Sequence, residues 1–404
     1  MAVRRSFRAF PTSSIKSILA ESGMPHINER LEINTLRLIP KVYLGSNPNL
    51  LNDIRSATRK KRTSKFPSTI HLILKYVDEL DIHLSPKRSK ISKHPPWALD
   101  SSVIEDKLMT WNKASTNYEV YKQEFMQRQT DLYSEGWKFI YTDGSKNPHN
   151  TAYAVVSENS EIIKYGLLLS PSSVFTAEAY AIKEAIQWIT SSKGKYVICT
   201  DSLATVTAIR NTSNSSPLIS EIRDKLIDSR NKIKIMWIPG HCGIPGNELA
   251  DKEAKNATLS PCIYVRTNGS NDILRFVVNF SKLKAKAEWY TYDNRYRLVN
   301  PELRKAVYPS TCSIPEIQIF TRLRLGHTIL THQHILDRNI TPGCRLCNSP
   351  TNSVEHILNI CPTFRHIRRD YVESSPSKLL KEPSTANIKE IYNFISRAQL
   401  KHLI

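Results

Sequence analysis

The stretch WIPGHCGIPGNELAD, residues 237–251, determines how this chain is interpreted. An apolar run over residues 233–238 predicts a β-strand, and the Pro and Gly residues after it predict a loop. A helix is then predicted near residues 248–257, because its first residues include acidic side chains, which are favourable in the first turn of a helix. Two of its side chains are candidates for acid–base or metal chemistry: His241 in the loop and Asp251 in the helix.

Strands and helices alternate throughout residues 135–258. Period-two alternation over residues 139–143 predicts a strand that Gly144 and Ser145 end, and a hairpin follows over residues 153–165. A helix is expected over about residues 176–191 and a strand over residues 196–199, and helical and strand patterns then alternate as far as the closing helix. The order βββαβααβα predicts an α/β domain with a mixed five-stranded sheet and flanking helices.

Four carboxylates fall where such a fold brings strand ends and helix faces together. Asp143 and Asp201 end two strands, whereas Glu178 and Asp251 lie in helices. Singly, Asp143 suits a turn and Asp251 suits a first helical turn, so the inference depends on the whole set. Four converging carboxylates need compensating cations, and their oxygens suit Mg²⁺ or Mn²⁺. Two such ions, about 4 Å apart, can activate a water and stabilise a leaving oxygen.

The local contexts of these carboxylates resemble ribonuclease H type 1. The resemblance covers IYTDGS at 140–145, TAEAYA at 176–181, CTDS at 199–202 and the opening stretch at 237–251. It implies a ribonuclease H-like fold and two-metal hydrolysis of the RNA strand of an RNA–DNA hybrid. Such cleavage is expected to tolerate most sequences.

The resemblance also implies a role for each matching residue. Asp143 would bridge both metal ions, Glu178 and Asp201 would hold one ion, and Asp251 would hold the other. His241 would assist proton transfer or product release. Recognition of the RNA 2′-hydroxyls is expected from Gly144, Ser145 and Glu178. Cys242 is interpreted as incidental, because no acyl-transfer motif accompanies it.

The cationic excess is confined to the two ends of the chain. The 404 residues contain 57 Lys+Arg and 37 Asp+Glu, a net charge of +20. Residues 1–130 and 261–404 each carry an excess of +10, while residues 131–260 are neutral. Basic flanks favour RNA or DNA as a partner, although two ordinary solvated surfaces remain the alternative.

Four residues near the C-terminus have the spacing of a zinc site, Cys344-x2-Cys347-x8-His356-x4-Cys361. The seven cysteines are an odd number, which argues against a disulfide framework. No apolar stretch of about 18 residues exists, and no signal peptide is evident. We therefore expect an intracellular protein, nuclear and/or cytoplasmic, that needs neither a membrane nor a small-molecule cofactor.

The flanks of the nuclease-like segment are predicted to be mainly helical. Residues 1–58 resemble the end of a reverse transcriptase region, and residues 59–134 read as a basic linker with a helix. The basic run at 59–62 suits a nuclear localisation signal, a phosphate contact or a solvated loop. The segment at 289–297 mixes aromatic residues with Arg, a pattern that suits either nucleotide stacking or helix packing.

Residues 259–404, with the zinc-knuckle-like cluster at 344–361, form a mainly helical basic region. Together with the nuclease-like segment they resemble the C-terminal part of a non-LTR (insect-type) retrotransposon polyprotein. A Tyr-x-Asp-Asp motif is missing, so polymerase activity is not expected. Two hypotheses therefore remain: an active hybrid nuclease, and a catalytically idle remnant that only binds nucleic acid.

Overall fold

The computed structural model describes residues 2–43, 56, 73, 75–77, 92–107, 117–214, 216–260, 264–265, 269–370 and 376–404. The basic run at 59–62 lies outside these residues. Two compact units are present. We call Asn34–Val278 the sheet unit, and Met1–Ile33 together with Asn279–Ile404 the helical unit.

Seven strands of the described residues form one mixed sheet in the order β1-β6-β5-β2-β3-β4-β7. The strands are β1 (Ile104–Glu105), β2 (Trp137–Lys146), β3 (Thr151–Ser157), β4 (Ile162–Leu168), β5 (Lys195–Thr200), β6 (Lys232–Trp237) and β7 (Tyr264–Val265). Strand β2 runs parallel to β5 and antiparallel to β3. The five strands predicted for residues 135–258 are β2 to β6. Strands β1 and β7 extend the sheet from outside that segment, and with two residues each they are too short to produce a periodic pattern.

The helices of the described residues are, in chain order, α1 (Ala2–Ser6), α2 (Ile15–Ser22), α3 (Ile27–Leu36), α4 (Leu38–Tyr43), α5 (Tyr118–Ser134), α6 (Val174–Ile189), α7 (Leu203–Arg210), α8 (Pro217–Asp228), α9 (Pro245–Leu259), α10 (Ser270–Tyr290), α11 (Arg295–Val299), α12 (Ile314–Leu325), α13 (Ile329–His332), α14 (Arg365–Arg368), α15 (Pro376–Leu379) and α16 (Thr385–Arg397). From β2 to α9 the observed order is βββαβααβα, as predicted. Among the described helices, none combines the length and apolarity needed to cross a membrane.

The central sheet is covered by helices on both faces. Alternate side chains of each strand point to opposite sides, so each strand contributes to two apolar clusters. Ile140 joins an apolar cluster with α6, α7 and α8, whereas Phe139 and Tyr141 join a second cluster with α5 and α9. Phe125 of α5 packs edge-on against both Phe139 and Tyr141, with ring centroids 6.2 and 6.5 Å away. Helix α5 is therefore packed against this sheet as part of its core, although the helix lies before the predicted domain boundary at residue 135.

Part of the predicted basic linker is also packed onto the sheet unit. Asp224 of α8 accepts hydrogen bonds from the Lys93 and His94 backbones at 2.9 and 3.2 Å. Downstream, Ile104 of β1 pairs with Ile235 of β6. Residues 92–106 are thus fixed by an Asp side chain and an edge strand, neither of which depends on hydrophobic periodicity.

The helical unit joins the two ends of the chain in one core. Ile18 of α2 belongs to the same buried cluster as Trp289, Tyr296 and Phe320. The sequence suggested residues 1–58 as a segment of their own, but residues 1–33 share this core with the C-terminal helices. Since Trp289 and Tyr296 are 2% and 0% exposed, these two aromatic side chains serve helix packing rather than nucleotide stacking.

A buried ion pair lies within this core. The Arg324 guanidinium donates to the Glu21 carboxylate at 2.9 and 3.1 Å, and both side chains are almost fully buried. The hydroxyls of Tyr296 and Tyr308 also donate to Glu21. Four donors from the C-terminal part of the chain therefore satisfy one carboxylate from α2, which ties the two ends together.

Candidate active site

Three of the predicted carboxylates meet at one edge of the sheet. Asp143 lies near the end of β2, Asp201 directly follows β5, and Glu178 lies in the second turn of α6. Each offers an oxygen, and these oxygens lie within 4.8 Å of one another. The meeting follows from topology, because β2 and β5 are parallel neighbours and α6 packs on β2. We call this set the three-carboxylate group.

Burial makes this group electrostatically strained. Burial, followed by the charge of Asp201, raises the pKa of Asp143 to about 8. Burial also raises the pKa of Glu178 and of Asp201. Carboxylates that resist ionisation together are stabilised by a bound cation, and an all-oxygen donor set fits Mg²⁺ or Mn²⁺.

Neighbouring polar side chains hold the carboxylates in place. The Ser202 hydroxyl donates to Glu178, and Thr205 Oγ1 donates to the same oxygen at 3.4 Å. Asn247 donates to Asp201, which lowers the pKa of Asp201 against the effect of burial. The sequence assigned no role to these three donors, since only side-chain geometry reveals which carboxylate each one reaches.

Two glycines allow the backbone to approach the carboxylates. A Cβ at Gly144 would lie 2.6 Å from the backbone N of Glu178, and a Cβ at Gly240 would lie 2.4 Å from Asp201 Oδ2. Either position would clash with any larger residue. Gly144 and the half-buried Ser145, both predicted to contact substrate, directly follow Asp143 on β2.

A second group of potential ligands comprises His241, Glu248 and Asp251, whose ligand atoms also lie within 4.8 Å of one another. His241 has φ of 57°, a left-handed conformation that is uncommon outside glycine and often marks a functional site. Glu248 was not predicted as a site residue. Its place three residues before Asp251, on the same helical face, was the available signal.

Asp251 does not belong to the three-carboxylate group, but its charge reaches that group. It helps to raise the pKa of both Asp143 and Asp201. Its Oδ2 accepts from Lys255 Nζ at 2.7 Å, an i,i+4 ion pair. The predicted set of four is thus arranged as three adjoining carboxylates with a fourth in electrostatic range, paired to an ammonium group.

Cys242 is buried beside this site. It is 5% exposed, and its Sγ donates to the Gly240 carbonyl at 3.4 Å. This contact holds the thiol within its own loop. The interpretation of Cys242 as incidental to chemistry stays a prediction.

The predicted zinc ligands lie together in the helical unit. The ligand atoms of Cys344, Cys347, His356 and Cys361 lie within 4.8 Å of one another, and all but Cys347 are buried. We call this set the CCHC cluster. A tight turn forms its first half, in which the Cys344 N–H donates to the Ser349 carbonyl at 2.8 Å. Three thiols and one imidazole are the donors of a closed tetrahedral zinc site.

Comparison with known families bears on the sheet unit. Residues 136–259, less than half of the chain, match the RNase H family. No curated protein matches the chain. The match confirms the ribonuclease H resemblance for this segment and its ribonuclease H-like α/β fold. It supports a nuclease that acts on nucleic acid.

Proposed function

We propose that this protein is an endonuclease that hydrolyses the RNA strand of RNA–DNA hybrids with two divalent metal ions. The observation that carries the proposal is the three-carboxylate group, built from two parallel strands and one helix inside the segment that matches RNase H. The pKa of each of its three carboxylates is raised, and a bound cation would favour their ionised forms.

The residues divide between two metal positions. Glu178 and Asp201 would hold one ion, and Asp251 would hold the other, with Glu248 and His241 beside it. Asp143 would bridge both, since its carboxylate meets the first pair and interacts with Asp251. When bound, Mg²⁺ or Mn²⁺ supplies activation of the attacking water and stabilisation of the charge on the leaving oxygen.

The remaining site residues would handle the proton and the substrate. His241 lies on a loop between glycines and would carry a proton to or from the reacting phosphate, or help to release product. Gly144, Ser145 and Glu178 surround the end of β2 and would contact a 2′-hydroxyl. Such contacts distinguish RNA from DNA without reading a base edge.

The helical unit would add metal and nucleic-acid binding. The CCHC cluster would hold one Zn²⁺, and the basic flanks would bind RNA or DNA phosphates. The CCHC cluster downstream of a nuclease supports an origin in a retrotransposon. We infer an intracellular setting, nuclear and/or cytoplasmic, with no requirement for a membrane or a small-molecule cofactor.

The experiment is cleavage of a labelled RNA–DNA hybrid by the full chain. We expect cleavage of the RNA strand only, dependent on Mg²⁺ or Mn²⁺ and lost in Asp143→Asn. Asp131→Asn, which removes an exposed carboxylate of α5, is the matched control and should cleave like the wild type. Hybrid binding without cleavage by the zinc-loaded wild type would instead support the catalytically idle remnant.

A further inference from the structure

Three histidines of the helical unit stack on one another. The rings of His327 and His332 are 3.7 Å apart between centroids with an interplanar angle of 22°, and His334 follows at 6.1 Å and 28°. All three side chains are partly exposed. We call this set the histidine cluster.

Hydroxyl groups fix the orientation of two of the rings. Thr12 Oγ1 lies 2.9 Å from His327 Nδ1, and Thr331 Oγ1 lies 2.7 Å from His332 Nδ1. A hydroxyl can donate to or accept from an imidazole nitrogen. These rings can therefore gain a proton without losing their contact, while Nε2 remains the polar atom for a ligand.

Two guanidinium groups make the surroundings of the cluster cationic. Arg295 acts electrostatically on both His327 and His332, and Arg4 acts on His327. Arg295 is held in place by the carbonyls of Leu323 and Arg324, both at 3.1 Å. Burial, followed by these charged neighbours, lowers the pKa of both rings, and an anion placed among them would favour the protonated rings.

The acidic residue that interacts with Arg295 is Glu355. Its Oε1 is engaged with Asn359 and with Ser377, the latter at 3.3 Å. Among the described residues, no carboxylate appears in the electrostatic surroundings of His327 or His332. Within the described part of the chain, Arg4 and Arg295 are therefore the permanently charged side chains that act on these two rings.

Two buried polar atoms next to the cluster have no hydrogen-bond partner among the described residues. They are Arg4 Nε and Ser13 Oγ. Arg4 Nη2 donates to the Ser13 carbonyl at 2.8 Å, and Ser13 directly follows the Thr12 that contacts His327. Buried polar groups are normally satisfied, so these two atoms are open to an oxygen partner, a water or a ligand, beside the cationic groups.

A metal ion fits this arrangement poorly. The in-plane nitrogen lone pairs of stacked rings run nearly parallel, so His327 and His332 cannot converge on one ion as zinc ligands do. The nearby guanidinium groups of Arg4 and Arg295 would repel a cation. The same features favour a group with several negative oxygens.

We propose that the histidine cluster, together with Arg4 and Arg295, is a phosphate-binding site, and that its ligand is a backbone phosphate of nucleic acid. This site lies in the helical unit and does not depend on cleavage by the sheet unit. Arg4 and Arg295 would donate to the phosphate oxygens, with the imidazole Nε2 atoms completing the contact. The cationic excess of the terminal segments supports nucleic acid as the source of the phosphate.

Binding of a short duplex DNA, which a hybrid nuclease should not cleave, provides one test. We compare Arg4→Gln with Arg5→Gln, a matched control from the same helix that removes an exposed Arg. Arg4→Gln should weaken binding about tenfold and reduce the slope of log Kd against log salt by about 1. Arg5→Gln should change the affinity much less. Unchanged zinc content and melting temperature confirm that both variants fold.

NMR of the wild-type chain provides a second test that needs no variant. Inorganic phosphate should shift the imidazole signals of His327 and His332, while the exposed His402 serves as the internal control. Chloride at equal ionic strength should leave all three unchanged. A response to phosphate with equal losses in Arg4→Gln and Arg5→Gln would assign the site to free phosphate. Imidazole signals that ignore phosphate would overturn the proposal.

Discussion

Burial disfavours the ionised form of Asp143. We therefore expect removal of this carboxylate to stabilise the metal-free protein. The side chain is 7% exposed, and burial with the charge of Asp201 raises its pKa to about 8 from the ordinary 3.8. Between those two values the folded state holds a proton that the unfolded state releases. Folding therefore becomes less favourable as the pH rises from 3.8 towards 8.

The size of this effect follows from the shift. One pKa unit corresponds to about 1.36 kcal/mol, so the unfavourable contribution of Asp143 is about 4 kcal/mol at pH 7 and about 2 kcal/mol at pH 5. Asp143→Asn keeps the shape of the side chain and cannot ionise. We expect the variant to be more stable than the wild type by those amounts when no Mg²⁺ is present.

Hydrogen exchange of β2 and β5 in zinc-loaded full-length chain measures this stability within the sheet unit. Added Mg²⁺ should stabilise the wild type and leave Asp143→Asn nearly unchanged, which narrows or reverses the difference. Asp131→Asn, an exposed control, should stay within about 0.5 kcal/mol of the wild type. The reasoning is refuted if Asp143→Asn is the less stable protein at pH 7 without Mg²⁺, or if its advantage does not grow with pH.

Three further predictions follow from ion pairs and metal ligands. Lys255→Gln removes the ammonium that competes with a cation for Asp251, so half-maximal cleavage should need a lower Mg²⁺ concentration. The decrease should be at most about fivefold, because the ion pair is worth at most about 1 kcal/mol. An unchanged or increased Mg²⁺ requirement would contradict this prediction. Cys344→Ser should reduce bound zinc from about one ion per chain to none, as metal analysis of the purified protein would report, and retention of zinc would show that the CCHC cluster is not the site. Glu21→Gln leaves the Arg324 guanidinium buried without its carboxylate. We expect the free energy of unfolding of the helical unit, measured by chemical unfolding, to fall by about 3–5 kcal/mol. A decrease below about 1 kcal/mol would show that the ion pair is not needed for stability.

The central fold could be predicted because each element between β2 and α9 has its own hydrophobic period. The strand at 195–200 and the helix at 174–189 were both expected within two residues of their observed ends. The edge strands could not be predicted, since two residues carry no period. The core shared by residues 1–33 and 279–404 was also inaccessible, because apolar spacing shows which face of a helix is buried but not which distant segment covers it.

The candidate site shows the same division. Asp143 and Asp201 could be placed together because the carboxyl ends of parallel strands meet at one edge, a consequence of topology alone. The separation of Asp251 from that group, and its ion pair with Lys255, depend on the rotation of α9 about its axis. The position of the Glu248 side chain depends on the same rotation of α9, so its place beside His241 is seen only in the structure.

The distribution of charge also separates binding from chemistry. A polyanionic substrate must approach three carboxylates, of which Asp143 is buried while Glu178 and Asp201 are half-buried, and residues 131–260 have no net cationic excess with which to attract it. Under the proposed function, affinity would come mainly from the terminal segments, through counterion release that weakens steeply as salt increases. In the proposed mechanism the chemical step would depend instead on cations held among the carboxylates, where burial limits screening by salt. Added salt should thus raise the substrate concentration needed for cleavage while leaving the rate at saturation nearly constant, and added Mg²⁺ should act mainly on that rate.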